Sequence, residues 1–139
     1  MSRRTARKHT FIIIFQTEFH EESEHSELLN DYISSLGEIL DDDKKFIKSA
    51  CHSTMLHKQE IDSLIEKYSV SWSLERLSKI DLALLRLCIN EILYVEDVPE
   101  RVSINEVIEL SKIFSTDEAP AFINGILGKF SKEKSRIGE

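Results

Sequence analysis

The stretch IDLALLRLCINEILYV, residues 80 to 95, is apolar at almost every position; only Asp81, Arg86, Asn90 and Glu91 interrupt it. A helix that is apolar around most of its circumference must be covered on most sides. The stretch is therefore expected to be the central helix of its half of the chain. Four glycines and two prolines in 139 residues argue for long helices rather than the many tight turns of an all-β fold. The length suits one compact domain. A 41% hydrophobic share supplies a core, and a 31% charged share should keep the chain soluble.

Apolar spacing predicts helix almost throughout. A first helix runs roughly from Arg4 to Phe19, followed by a polar linker from Glu21 to Ser26. Leu28, Leu29, Tyr32, Ile33, Leu36, Ile39 and Leu40 then share one helical face. Asp41, Asp42 and Asp43 favour a new start by capping and by the helix dipole. Phe46, Ile47, Ala50, His57, Ile61, Leu64, Ile65 and Tyr68 keep helical spacing over a long stretch. Ser69 to Ser73 breaks the pattern, which places a subdomain junction there and divides residues 1–70 from 71–139. Leu74 to Leu77 reads as a short helix or turn.

Pro99 ends the turn after the apolar helix. Ser103 and Glu106 have capping-box spacing, S-x-x-E, which marks a helix start to within a few residues. Val107, Ile108, Ser111 and Phe114 form that helix's inner face. STDE, residues 115 to 118, is expected to open a last helix whose apolar face is Ala119, Phe122, Ile123, Ile126, Leu127 and Phe130. Asn124-Gly125 would ordinarily signal a hairpin, but the helical pattern runs straight through it. Glycine inside a helix costs about 1 kcal/mol, so Gly125 and Gly128 are expected to permit close helix contact. The tail SKEKSRIGE reads as frayed.

Charge is segregated. The chain carries −7 overall, yet Arg3, Arg4, Arg7 and Lys8 cluster at its start with no acid among them. From Glu18 to Asp43 there are ten acids and no lysine or arginine. An arm kept clear of acids suits contact with a polyanion; the alternative is a solvated, frayed terminus. Cations at a helix N-terminus oppose the dipole, a mild cost that a negatively charged partner would offset.

Enzymatic readings lack parts. His9, His20, His25, His52 and His57 are scattered, and the i,i+5 pairs lie on different helix faces, unlike the i,i+4 pairs of zinc helices. Cys51 and His52 are adjacent, so their side chains diverge on a helix. There is no phosphate-cradling glycine loop and no GxSxG motif, and Glu21-Glu22 reads as solvated surface. No active site, metal or cofactor is expected. Cys51 and Cys88 lie far apart without a CxxC and read as reduced core residues of a cytoplasmic protein. No apolar run approaches the roughly 20 residues that span a bilayer, and Phe11 to Phe15 is too short for a signal-peptide core.

Three segments carry a resemblance: SWSLERLSKIDLALLRLCINEILY, then DVPERVSINEVIELSKIFSTDEAPAFINGIL, and the arm RRTAR leading into an apolar helix that ends FQ. With an R-x-x-x-x-D-x-x-x-L-R segment, an INE-x-x-E-x-x-K segment and an F-x-NG segment in order, the chain resembles the NusB family of bacterial transcription antitermination factors from about Arg3 to Phe130. The resemblance implies an all-α fold of about seven helices in two small subdomains, the first with three helices. It implies binding to the boxA element of nascent RNA, chiefly from ribosomal RNA operons, with ribosomal protein NusE as partner. RNA polymerase in its elongation complex, with other Nus factors, would then read through terminators.

By the same resemblance Arg3, Arg4 and Arg7 match the RNA-contacting arm. Lys8 stands where acid is common, and Phe15 where the family often has Tyr, with Gln16 after it. Lys112, Phe114, Asp117, Glu118 and Phe122 match a second RNA-facing patch. Core packing is the alternative for the two phenylalanines, and helix capping for the two acids. Asp81 and Arg86 match positions near the NusE contact; the alternative for Arg86 is an internal salt bridge to Glu91, Glu106 or Glu109. Neutralising three or four phosphates predicts a log K against log salt slope of roughly −2 to −3 on single strands. Two other readings are weighed: the RNA-binding module of an RNA methyltransferase, which the lack of a βαβ region after residue 139 counts against, and a protein-only helical scaffold. Self-association is left open.

Overall fold

The computed structural model describes residues 1–69 and 73–137, the last two of these by backbone alone. Among the described residues the protein is all-helical. The helices are α1 (Arg3–Thr17), α2 (His25–Ser35), α3 (Asp41–Leu56), α4 (Lys58–Tyr68), α5 (Lys79–Tyr94), α6 (Glu100–Phe114) and α7 (Ala119–Ile137). Short 3-10 turns at Glu22–Glu24 and Leu74–Arg76 lead towards α2 and α5.

The apolar stretch is α5, begun by Ser78, whose side chain accepts from the Asp81 backbone N–H at 3.0 Å. Every residue from Asp81 to Glu91 is buried. Helices α1, α3, α4, α6 and α7 all pack against it, so α5 is the axis of the whole molecule and not of one half only. One cluster of buried apolar residues runs from Ala6 in α1 to Phe130 in α7. Each fully buried leucine or isoleucine in it stabilises by about 1.5–3 kcal/mol. The junction expected at Ser69 to Ser73 falls on residues 70–72, which lie outside the described residues. Helix α4 comes before that junction and packs against α5 and α7, which come after it.

The four polar residues that interrupt α5 are each tied to another part of the chain. Asp81 accepts from the Ser115 hydroxyl, just beyond α6, at 2.6 Å. Arg86 reaches Glu18, just beyond α1, and Asp62 in α4. Asn90 accepts from Ser53 in α3 at 2.8 Å. Glu91 accepts from Arg7 in α1 and Ser103 in α6. A buried polar group needs a partner, and here each partner fixes one helix against the axis.

Several boundaries differ from the periodicity. Helix α2 stops at Ser35 because Gly37 takes φ +76° and its N–H closes back on the Ser34 carbonyl at 3.3 Å, a left-handed stop that glycine adopts without strain. Ile39 and Leu40 therefore lie beyond it. The long stretch from Phe46 to Tyr68 is two helices, broken at His57, whose ring stacks on Tyr94 at 3.7 Å. Helix α6 begins at Glu100 behind Pro99, so Ser103 and Glu106 are not a capping box but neighbours one turn apart inside the helix. Helix α7 begins at Ala119, after STDE. The start of the tail expected to fray is tied down, since Glu100 accepts from Ser131 at 2.5 Å and Lys134 at 2.7 Å; residues 138–139 lie outside the described residues. Gly125 and Gly128 make no close helix contact, since a Cβ at either would meet nothing within 4 Å.

Candidate nucleic-acid interface

Helix α1 starts at Ser2, whose hydroxyl accepts from the Thr5 N–H at 3.1 Å. Successive residues turn by about 100°, which separates the arm's cations. Arg4, Lys8 and Phe15 fall within about 40° of one another, while Arg3 and Arg7 lie on the neighbouring face. The structure treats the two sets differently.

Arg7 is only 4% exposed. Its guanidinium donates to both Glu91 carboxylate oxygens, at 3.0 and 2.6 Å, and Ser103 donates to the same carboxylate at 3.0 Å. Arg7, which the resemblance placed among the RNA contacts, is thus a buried brace between α1 and α5, with its guanidinium turned to Glu91 and away from solvent. The physical reason is position: one turn into the helix, its face already points at the axis. Arg3 is exposed, with its guanidinium 4.1 Å from the centre of the Phe46 ring in α3. Lys8 is half-buried and has no ion-pair partner among the described residues.

Arg4 is exposed yet ion-paired. Its Nε and Nη2 donate to Glu106 at 2.9 and 3.1 Å, with the Arg4 side chain 68% and the Glu106 side chain 18% exposed. The hydrogen bond to Arg4 holds the Glu106 carboxyl below its ordinary value. The same bond, with the charges of Glu106 and Glu109, raises Arg4.

An aromatic row continues from the cations. Phe15 is half-buried between Phe11, at 6.5 Å between ring centres, and the exposed Phe19, at 5.2 Å. Phe114 of α6 lies 5.2 Å from Phe11. Phe11 is buried, so this ring pair joins α1 to α6 at the edge of the core, beneath the expected second patch. Gln16 and Phe122 are half-buried, the latter packed on the core. Lys112 is exposed and donates to Glu109 at 3.0 Å. Asp117 and Glu118 are exposed in the link to α7, and the Glu118 carbonyl accepts an early bond of that helix, from Phe122, at 3.2 Å.

Asp81 and Arg86 are not on an outer platform. Arg86 is 4% exposed and takes Asp62 with two bonds, at 2.8 and 2.9 Å, and Glu18 with a third at 2.6 Å. An internal salt bridge is what the structure shows for it, to carboxylates other than the three expected. Burial alone would raise Glu18, but the hydrogen bond from Arg86 and the charges of Arg86, Lys58 and Lys79 hold it below the ordinary value. The residues that sequence reasoning missed are Glu91, Ser103 and Glu106 as partners of the arm. Their signal was present as the spacing of Ser103 and Glu106, which put both on one face of α6.

Both cysteines are free and buried, and burial pushes the Cys51 thiol up to about 12, far from a reactive thiolate. No helix among the described residues is long and apolar enough to cross a membrane. No group of three or more His, Cys, Asp and Glu side chains among the described residues is placed to hold a metal.

Fold and surface together define an all-helical protein whose first helix gathers cations at one end, with partly covered aromatic rings farther along it. The model of the NusB family matches residues 4–132, and the chain belongs to that family. It is 42% identical over 134 residues to the transcription antitermination protein NusB of Alkaliphilus oremlandii, covering 96% of each chain. It is 41% identical over 133 residues to that of Listeria monocytogenes, covering 96% of this chain and 98% of the relative. The structure of Thermotoga maritima NusB superposes with a TM-score of 0.88 at 32% identity, covering 96% of this chain and 92% of that one. A crystal structure of antitermination factors NusB and NusE with dsRNA superposes at 0.85 and 24% identity, covering 94% and 96% of the two chains; this last likeness speaks for the fold alone. A family of antitermination factors is a family of binding proteins, not of enzymes.

Proposed function

We propose that this protein is a transcription antitermination factor. With the ribosomal protein NusE it binds the single-stranded boxA element of nascent transcripts, chiefly ribosomal RNA, and joins other Nus factors in an elongation complex that reads through terminators. The observation that carries the reading is the family match across residues 4–132, with relatives of near-equal length that bear the antitermination name. The surface supports it. Single strands are held by cations on the phosphates and by aromatic faces under the bases. Arg3, Arg4 and Lys8 supply the first and Phe15 the second, with the Gln16 amide beside it as a hydrogen-bonding group. Lys112, Phe114, Asp117, Glu118 and Phe122 extend the contact surface. Exposed carboxylates there accept hydrogen bonds from base amino groups while repelling phosphate, which favours selectivity over affinity. Arg7 serves as scaffold.

The test is equilibrium binding of the purified chain to single-stranded boxA RNA, a scrambled strand and a duplex, with and without NusE, across salt concentration. Preference for the single-stranded boxA sequence, strengthened by NusE, is the expected result. No binding to any strand at low salt would leave a protein-only scaffold.

A further inference from the structure

The S-x-x-E pair of α6 is absorbed by neither helix capping nor the RNA reading. Ser103 and Glu106 stand one turn apart on α6, and Arg4 and Arg7 one turn apart on α1. The two pairs face each other: Ser103 meets Arg7 through the shared Glu91 carboxylate, and Glu106 meets Arg4 directly. The inner tie is buried on both sides, with side chains of Arg7 and Glu91 exposed by only 5% and 4%. The outer tie is lopsided. Glu106 is largely covered by the protein, whereas Arg4 is mostly open to solvent. A guanidinium has five N–H donors. Glu106 takes one from Nε and one from Nη2, the side-on edge. Nη1 and the second Nη2 hydrogen, the end-on edge, remain for a ligand, and their planar fork matches phosphate geometry.

We infer that Glu106 is a positioning residue for the RNA site: from the body of α6 it grips the side-on edge of Arg4 and so presents the end-on edge to a backbone phosphate of single-stranded RNA. The inference rests on the RNA-binding reading above. A free arginine on a helix end samples many rotamers, and ordering it on binding reduces affinity; a carboxylate that has ordered it beforehand removes that loss. The carboxylate's own charge weakly repels a nearby phosphate, so ordering and repulsion predict opposite signs for its removal, and the inference commits to ordering.

The experiment is a double-mutant cycle on binding of a fluorescent single-stranded boxA RNA by the full chain with NusE present, using Glu106→Gln, Arg4→Ala and both together. Thermal melting of each variant is measured alongside, since the Arg7–Glu91 brace keeps α1 in place without Glu106. Glu106→Gln is expected to weaken binding about two- to tenfold, the range for ordering one long side chain. In the Arg4→Ala background it should cause no further loss. Equal losses in both backgrounds would make Glu106 merely structural, and tighter binding by Glu106→Gln would make it a competitor for Arg4; either result overturns the inference. A failure of the RNA reading looks different: the unmodified chain would not bind the strand, or Arg4→Ala would leave binding unchanged.

Discussion

Arg4 and Arg7 stand three residues apart on α1 with the same charge and the same type of partner, yet they sit in opposite environments. Arg7 and Glu91 are buried together, so removing one leaves the other charged and unpaired in the interior. Arg7→Met is expected to cost about 3 kcal/mol or more, read from denaturant midpoints, while leaving the salt slope of RNA binding unchanged where the variant is folded. Arg4→Ala should do the reverse. It should barely move the midpoint, and it should flatten the slope by about 0.7 from a starting value of about −2, as three cations on a single strand would give. Equal slopes for both variants would reject the division of labour. Glu118 belongs to a third kind of position, exposed and at the edge of the aromatic row. Glu118→Asn should change base preference or affinity with little change in slope, which binding to boxA strands with single-base changes would reveal.

At the scale of elements, glycine acts in opposite ways at two places. Gly37 ends α2 at φ +76°, a conformation that an L side chain resists. Gly128 sits within α7 with open space where a Cβ would go. The same substitution should therefore have opposite signs. Gly37→Ala should destabilise by about 1 kcal/mol or more, and Gly128→Ala should stabilise by about 0.5–1 kcal/mol. Two melting curves compared with the unmodified protein decide it; a shift of the same sign for both would contradict the described backbone. The split of the Phe46 to Tyr68 stretch at His57 has a similar lesson. Apolar periodicity continues through the break because α3 and α4 both bury a face against α5, so no gap in the pattern marks the corner.

For the molecule as a whole, the polar ties around α5 make stability depend on carboxylates staying charged. Glu18, Glu100 and Glu106 all lie below the ordinary value of 4.5 in the folded protein. Their unfolded forms begin to protonate first as pH falls. The stability they contribute is therefore complete above the ordinary value and is lost as pH falls through the lower folded values. Melting temperature should hold from neutral pH down to about 4.5 and then decline. Arg86→Met leaves Glu18 and Asp62 without their shared partner, so it should cost about 3 kcal/mol at neutral pH. It should also make the acid decline shallower, because only the charges of Lys58 and Lys79 would then oppose the effect of burial on Glu18. A decline of unchanged steepness would count against Glu18 as a contributor.

The sequence alone determined the class. Helical spacing with few glycines and prolines pointed to an all-α fold, and the length and purity of the apolar stretch marked α5 as the central helix of its half, because burial of apolar area depends on pattern that is local in the chain. That α5 is the axis of the whole molecule came only with the packing of α1, α3 and α4 against it. The arm's cations were legible as a local cluster of charge, whereas the second patch was named only through the family resemblance. The tertiary structure decided which of those cations reach solvent. Arg3, Arg4 and Arg7 look alike in sequence; packing α1 against α5 and α6 turned Arg7 onto Glu91 and placed Arg4 beside Glu106. It also drew Asp81 and Arg86 inward, although a charged residue in a sequence ordinarily reads as surface. Coulomb pairing across 24 to 102 positions of chain, as in Arg86–Asp62 and Arg4–Glu106, leaves no periodic trace, and only the folded packing of the helices sets which charges meet.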